Sequence, residues 1–162
     1  MIRPADVVDL VCVLPEVEEG TRHGHRTWFV HGKSFAWERP FSKADVKRFG
    51  DETPPTGPIL ALTTEDLGEK EAILAAGHRG FFTISHFDGY PAVLVDLSVA
   101  TKRDVQRAIV DAWLACAPDE VAHVGTGLID ELGARYRNLP TRPAVLGPDA
   151  PDFASVGASR VA

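Results

Sequence analysis

Three groups of residues have types and spacings that could do chemistry. The first is Arg22, His23, His25 and Arg26 in the run RHGHR. Two imidazoles, with His31 or His86 to extend the set, suit a metal ion, and the same cluster suits a phosphate. The arginines weigh against the metal. Fixed positive charge repels a cation, and no carboxylate or cysteine stands at a clear ligand spacing, so the expectation is an anion contact or a solvated polar loop, with no metal. The second group is Lys43, Lys47 and Arg48, interleaved with Phe41 and Phe49. Cations among aromatic rings suit a phosphate backbone or a single strand, through charge neutralisation and base stacking, although the default reading is a solvated loop. The third is His86, Asp88 and Tyr90. A histidine beside a carboxylate titrates near neutrality and could serve as an acid or base. Asp88-Gly89 reads first as a turn, however, with His86 and Tyr90 covering a sheet edge or lining a small ligand pocket. Ser85 and His86 form no triad, because neighbours on a strand point to opposite faces. Gly125-Thr126-Gly127 lacks a preceding strand and a following GK[ST], so it reads as a helix start, not a phosphate loop. No catalytic residue and no cofactor follow from these patterns.

Composition narrows the classes. The chain has 162 residues, 44% apolar and 25% charged, which fits one domain of ordinary size. A formal charge of −6 argues against gripping a polyanion with the whole surface, so any nucleic-acid contact must be local. No apolar run approaches the roughly 20 residues that span a bilayer, and the N-terminal residues lack the apolar stretch of a signal peptide. No membrane association is expected, and the expected location is cytoplasmic. Cys12 and Cys116 both sit among helix-forming apolar residues and read as buried free thiols.

The elements that must position these residues follow from periodicity. A helix is expected over 4–14, from Pro4 at its first position to Pro15, followed by a polar irregular segment through 26. Strands over 27–31 and 34–38 flank Gly32-Lys33 as a hairpin with aromatic residues on both faces, and 39–58 reads as a long mobile loop. A strand over 59–63 leads to a helix over about 65–76, opened by Thr63 with Asp66 and closed by Gly77. Phe81 to Leu97 reads as a central hairpin turning at Asp88-Gly89, one face core and the other wetter, with Pro91 at the start of the return strand or on an edge. Thr101 and Asp104 open a last helix whose stripe is Val105, Ala108, Ile109, Ala112 and Cys116, ending at Pro118. The order α-β-β-β-α-β-β-α implies an α+β domain over 1–118, with an antiparallel sheet of about five strands built from hairpins and helices on one face. Residues 119–162 read as an extension: a helix over about 126–138, with Leu128, Leu132 and Tyr136 on one side, then a flexible tail.

The segments LPEVEEGT at 14–21, TWFVHGKSFAW at 27–37, FFTISHFDGYPAVLVDL at 81–97 and AWLACAP at 112–118 resemble the MmcQ/YjbR family, over roughly residues 4–118. The resemblance implies hairpins in a double-wing arrangement and DNA binding by fold analogy, with no catalytic residues to carry over. If DNA is the partner, the contacts fall on Arg22, Arg26, Lys33, Lys43, Lys47 and Arg48, the basic residues of the first hairpin and its flanking loops. Asp88 at the tip of the other hairpin would be repelled by phosphate. Such binding is expected to be weak and to read little sequence; about four phosphate contacts give a log–log salt slope of roughly −3.6. Two alternatives stand beside it. One is a non-enzymatic protein-interaction module that presents the aromatic hairpin face and the tail helix to a partner or to a second copy. The other is a small-ligand or enzyme site between the hairpins.

Overall fold

The computed structural model describes residues 1–123. In chain order the elements are α1 (Pro4–Val11), β1 (Val17–Arg22), β2 (His25–Val30), β3 (Lys33–Glu38), α2 (Lys43–Arg48), β4 (Ile59–Thr63), α3 (Leu67–Ala75), β5 (Phe81–Phe82), a 3-10 turn (Ser85–Phe87), β6 (Ala92–Asp96) and α4 (Lys102–Cys116). The strands form one antiparallel sheet in the order β1-β2-β3-β4-β6-β5. This is the expected α+β class, with six strands among the described residues in place of about five.

Alternation along β4 and β6 sets the layers. Leu60, Leu62, Val93 and Val95 face a large core shared with Val7 and Val11 of α1, Ile73 of α3, and Val105, Ile109 and Trp113 of α4. Trp113 also donates from Nε1 to the Pro15 carbonyl at 3.1 Å, tying the last helix to the chain between α1 and β1. The intervening residues Ile59, Ala61, Ala92 and Leu94 face a second, smaller cluster with Phe87, packed against Trp37, Phe41, Phe82 and Ile84. Every residue of β6 is therefore buried, and the expected wetter face of that strand is apolar core instead. Val121 also belongs to the large core, which continues beyond Pro118. The expected helix over 126–138, its GTG start and the tail lie outside the described residues.

Several boundaries differ from those expected, each for a local reason. Residues 17–22 are a strand, although only Val17 among them is strongly apolar. They pair with β2 without a break from Val17 opposite Val30 to Arg22 opposite His25, as a charged edge strand held by its ladder. Both hairpins turn on a His-Gly pair with positive φ, His23 at 52° and Gly24 at 80°, then His31 at 47° and Gly32 at 74°. That is the primed turn that matches strand twist, and it moves the second turn one residue ahead of Gly32-Lys33. Asp66, not Thr63, caps α3, accepting from the Glu69 amide at 2.8 Å. Thr101 caps α4 as expected.

Only the first arm of the stretch expected to be the central hairpin lies at the sheet edge, since β6 is flanked by β4 and β5. β5 holds only two residues, paired as Phe81 with Val95 and Phe82 with Leu94, and 83–91 is a loop, with Pro91 just ahead of β6. Asp88 (φ −61°, ψ 129°) and Gly89 (φ 69°) form the middle of a type II turn closed by the Tyr90 amide on the Phe87 carbonyl at 3.0 Å. A two-residue primed turn would need positive φ at Asp88 as well. The turn is held from below by the buried Lys70 of α3, whose Nζ donates to the carbonyls of Phe87 and Tyr90 at 2.5 and 2.9 Å. Burial pushes the Lys70 pKa down, against the opposing pull of the Asp88 carboxylate.

Cys12 and Cys116 part company. Cys116 is buried, and burial pushes its thiol pKa up, whereas Cys12 follows the last residue of α1 and is exposed. The buried side of this segment is Val7, Leu10, Val11 and Leu14, and Cys12 falls off that stripe. A thiol reagent is therefore expected to modify Cys12 rapidly in the native protein and Cys116 only on unfolding. Equal rates for both thiols would contradict the burial.

Candidate nucleic-acid interface

The segment expected to be a mobile loop contains α2, and its N-terminus explains why. Ser42 Oγ accepts from the Asp45 amide at 3.1 Å, while Asp45 Oδ2 accepts from the Ser42 amide at 2.9 Å and from its hydroxyl at 2.7 Å. This reciprocal cap, written in the sequence as S-x-x-D, satisfies amides that a helix start otherwise leaves bare. Lys47 and Arg48 in the last turn suit its negative end. The prolines and charges around the segment mask that four-residue signal in the sequence.

Asp45 is buried, and it gathers cations. Arg39 Nη2 lies 2.9 Å from Oδ2 and Arg48 Nη1 lies 3.4 Å from Oδ1. Burial alone would push the Asp45 carboxyl up, but the two Ser42 bonds and the Arg39 guanidinium overcome it and hold the pKa at about 2. Arg48 is thus partly neutralised. Lys43 and Lys47 are exposed and make no ion pair among the described residues. Four positions apart, they lie on the same side of the helix.

The aromatic residues interleaved with these cations face the protein. Phe41 lies 5.3 Å from Phe49 and 6.0 Å from Phe82 between ring centroids, and Phe41 packs into the smaller cluster. Both rings are half-buried. They support α2 from beneath and do not offer the stacking platform that a nucleic-acid contact would use.

The remaining candidates are dispersed. Arg22 and Arg26 flank the tip of the β1–β2 hairpin, which is where RHGHR lies, not ahead of a hairpin. Arg26 Nε sits 3.2 Å from Glu19 Oε1, and Arg22 donates to Ser34 Oγ at 3.2 Å. Lys33 is exposed at the start of β3, beyond the other end of β2. His31 pairs with Glu16 beside the second turn. Among the described residues no three of His, Cys, Asp and Glu form a group that could hold a metal ion. Nor is any helix among them long and apolar enough to cross a membrane.

His86 is exposed and touches Phe87 edge-on with centroids 5.9 Å apart, while Tyr90 lies 6.4 Å from Trp37 and 5.8 Å from Phe87. Both belong to the cover over the smaller cluster. A cleft of about 190 Å³ lies elsewhere, lined by Pro4 and Val7 at α1, Trp28, Glu38, Pro40 and Leu60 among others, and neither His86 nor Tyr90 contributes to it.

Asp45 gives a pH-dependent expectation. Its folded pKa of about 2 lies below its ordinary value of 3.8, so its contribution is fully present above about pH 4 and is lost as pH falls towards 2. Asp45→Asn should lower unfolding free energy by about 2 kcal/mol at neutral pH, and the gap to the native protein should close as pH falls through that window. Denaturant titrations across pH measure it, and a gap constant down to pH 2 would refute the assignment.

The chain is 42% identical over 119 residues to the uncharacterised proteins Rv2570 and MT2646 of Mycobacterium tuberculosis and Mb2600 of Mycobacterium bovis, matches covering 72% of this chain and 89% of each relative. No family model matches the chain. No solved structure matches it either.

Proposed function

We propose that the chain, which belongs to the family of the mycobacterial proteins Rv2570, MT2646 and Mb2600, makes weak, sequence-independent contacts to the backbone of DNA through α2, as an MmcQ/YjbR-like protein of the cytoplasm. The observation that carries this reading is the pair Lys43 and Lys47, exposed at helical spacing on an ordered helix and free of ion pairs among the described residues. Ordering matters because two flexible lysines lose more freedom on contact than two on a capped helix. Burial of Asp45 also removes the helix's own carboxylate from the surface. The likeness of residues 14–21, 27–37, 81–97 and 112–118 to the MmcQ/YjbR family supports the same reading by fold analogy. Two free thiols, one of them exposed, fit a reducing compartment.

The geometry reduces the contact set. Arg26 and Arg48 are paired and Arg22 is hydrogen-bonded, which leaves two lysines on one surface where four phosphate contacts were expected. Two phosphates imply a log–log salt slope of about −1.8, and a net charge of −6 opposes the rest of the approach. With Phe41 and Phe49 turned inward, single strands gain no stacking advantage over duplex.

Fluorescence anisotropy with labelled duplex and single-stranded DNA at low salt tests the proposal. Lys43→Ala with Lys47→Ala should weaken both by about tenfold or more, and Arg22→Ala with Arg26→Ala should change them little. Absence of binding at low salt, or binding indifferent to the lysine pair, would remove the reading.

A further inference from the structure

The two edges of the sheet are unlike. β5 offers two residues, whereas β1 offers six, and among the described residues β1 pairs only with β2. A long open edge is a template for another strand unless charge or cover prevents it. The charges on this edge come in both signs. Glu18 and Glu19 lie toward one end of β1, with Arg22 closing the other and Arg26 beside it on β2.

The register of the outer edge follows from the hairpin. A two-residue primed turn makes Arg22 and His25 a hydrogen-bonded pair, and the ladder runs on from there without a bulge. By alternation Glu18, Gly20 and Arg22 direct their backbone polar groups to β2, and Val17, Glu19 and Thr21 direct theirs outward. A second copy related by a two-fold axis normal to the sheet must set outward residues opposite outward residues.

One such register satisfies the side chains as well. With Glu19 opposite Thr21 of the second copy, both backbone hydrogen bonds of that pair form, and they form again by symmetry. Gly20 then meets Gly20 of the second copy on the axis, at a non-hydrogen-bonded position where the strands approach most closely and a side chain would be most crowded. Glu18 falls opposite Arg22 of the second copy, twice, on the same face of the sheet. Sliding one step in one direction sets Glu19 against Glu19; sliding in the other sets Glu18 against Gly24 and loses both ion pairs. Inside each copy the Phe29 ring lies over Gly20, 3.2 Å from where a Cβ would stand, so an apolar surface flanks the axis from both sides.

We propose that the chain forms a two-fold dimer by antiparallel pairing of β1 with β1, registered on Gly20 and held by reciprocal Glu18–Arg22 pairs. Arg22 exchanges its bond to Ser34 Oγ for a carboxylate. The overall charge of −6 opposes association, but on this edge Glu18 and Glu19 are balanced by Arg22 and by Arg26 of β2. The inference stands apart from the nucleic-acid reading, which depends on α2.

Sedimentation equilibrium of the full chain over a wide concentration range tests it. The native chain should show a monomer–dimer equilibrium. Arg22→Glu should weaken it by about tenfold or more, and Glu18→Arg combined with Arg22→Glu should restore it to within about threefold, because the charges are exchanged between copies. Thr21→Pro removes an outward N–H that the β1–β2 ladder does not use, so it should give a monomer with an unchanged circular dichroism spectrum. The proposal is overturned if the native chain is monomeric at every concentration, or if its dimer survives both Arg22→Glu and Thr21→Pro. Failure of the exchanged charges to restore association overturns it too. So does a monomer whose Glu19 and Thr21 amides resist hydrogen exchange, since the chain's own residues would then cover the edge.

Discussion

Burial of β4 and β6 on both faces is the constraint on which the rest of the molecule depends. Helices on one face satisfy only half of it: Leu60, Leu62, Val93 and Val95 reach the large core, while Ile59, Ala61, Ala92 and Leu94 point the other way. Leaving four such side chains in water would cost several kcal/mol at about 25 cal/mol per Å² of apolar area. The second face must be covered, and among the described residues no long helix packs on it. The cover is assembled from α2 and the 83–91 loop, neither of which has enough apolar surface to stay in place unaided.

Charge holds those two pieces. Lys70 reaches the carbonyls at either end of the 87–90 turn, and Asp45 joins α2 to Arg39 at the end of β3. Arg39 in turn places its guanidinium carbon 5.7 Å from the centre of the Phe87 ring, so one cation touches both halves of the cover. Each buried charge is compensated in place, and removing a partner strands the other in a poorly solvated site, which costs more than the pair itself contributes. Trp37, stacked near Phe87 at 6.4 Å, completes the arrangement from the sheet. Much of the chemistry-bearing sequence from Arg39 to Tyr90 is thereby used to close the fold.

That use explains what was legible in the sequence and what was not. The helical stripe of α4, its Thr101 cap, the apolar run of β4 and Pro91 ahead of β6 depend on neighbours a few residues away, and periodicity exposes them. β1 does not, because Glu18, Glu19 and Arg22 carry no alternation and the strand exists through its ladder to β2. Lys70 looks in sequence like any helical surface lysine; only the return of the chain at Phe87 and Tyr90 makes it a buried clamp. The basic candidates are legible in sequence as types but not as a surface, since Glu19 and Asp45, which pair with Arg26 and Arg48, are ordinary carboxylates until the fold sets them alongside.

The same sorting bears on how an acidic chain could contact anything anionic. Cations that hold structure are drawn inward toward carboxylates, as Arg39 and Arg48 are toward Asp45, and each such pair leaves the surface no more positive than before. One arrangement that keeps a patch of surface positive is a buried carboxylate beside lysines that stay exposed. α2 has that arrangement. Its single acid is turned beneath the helix by the Ser42 cap, and Lys43 and Lys47 are carried outward by the same turn of backbone. Helix capping and local surface charge are therefore one feature here: a chain that lost the cap would lose the ordered lysine pair with it, while its composition and net charge stayed the same.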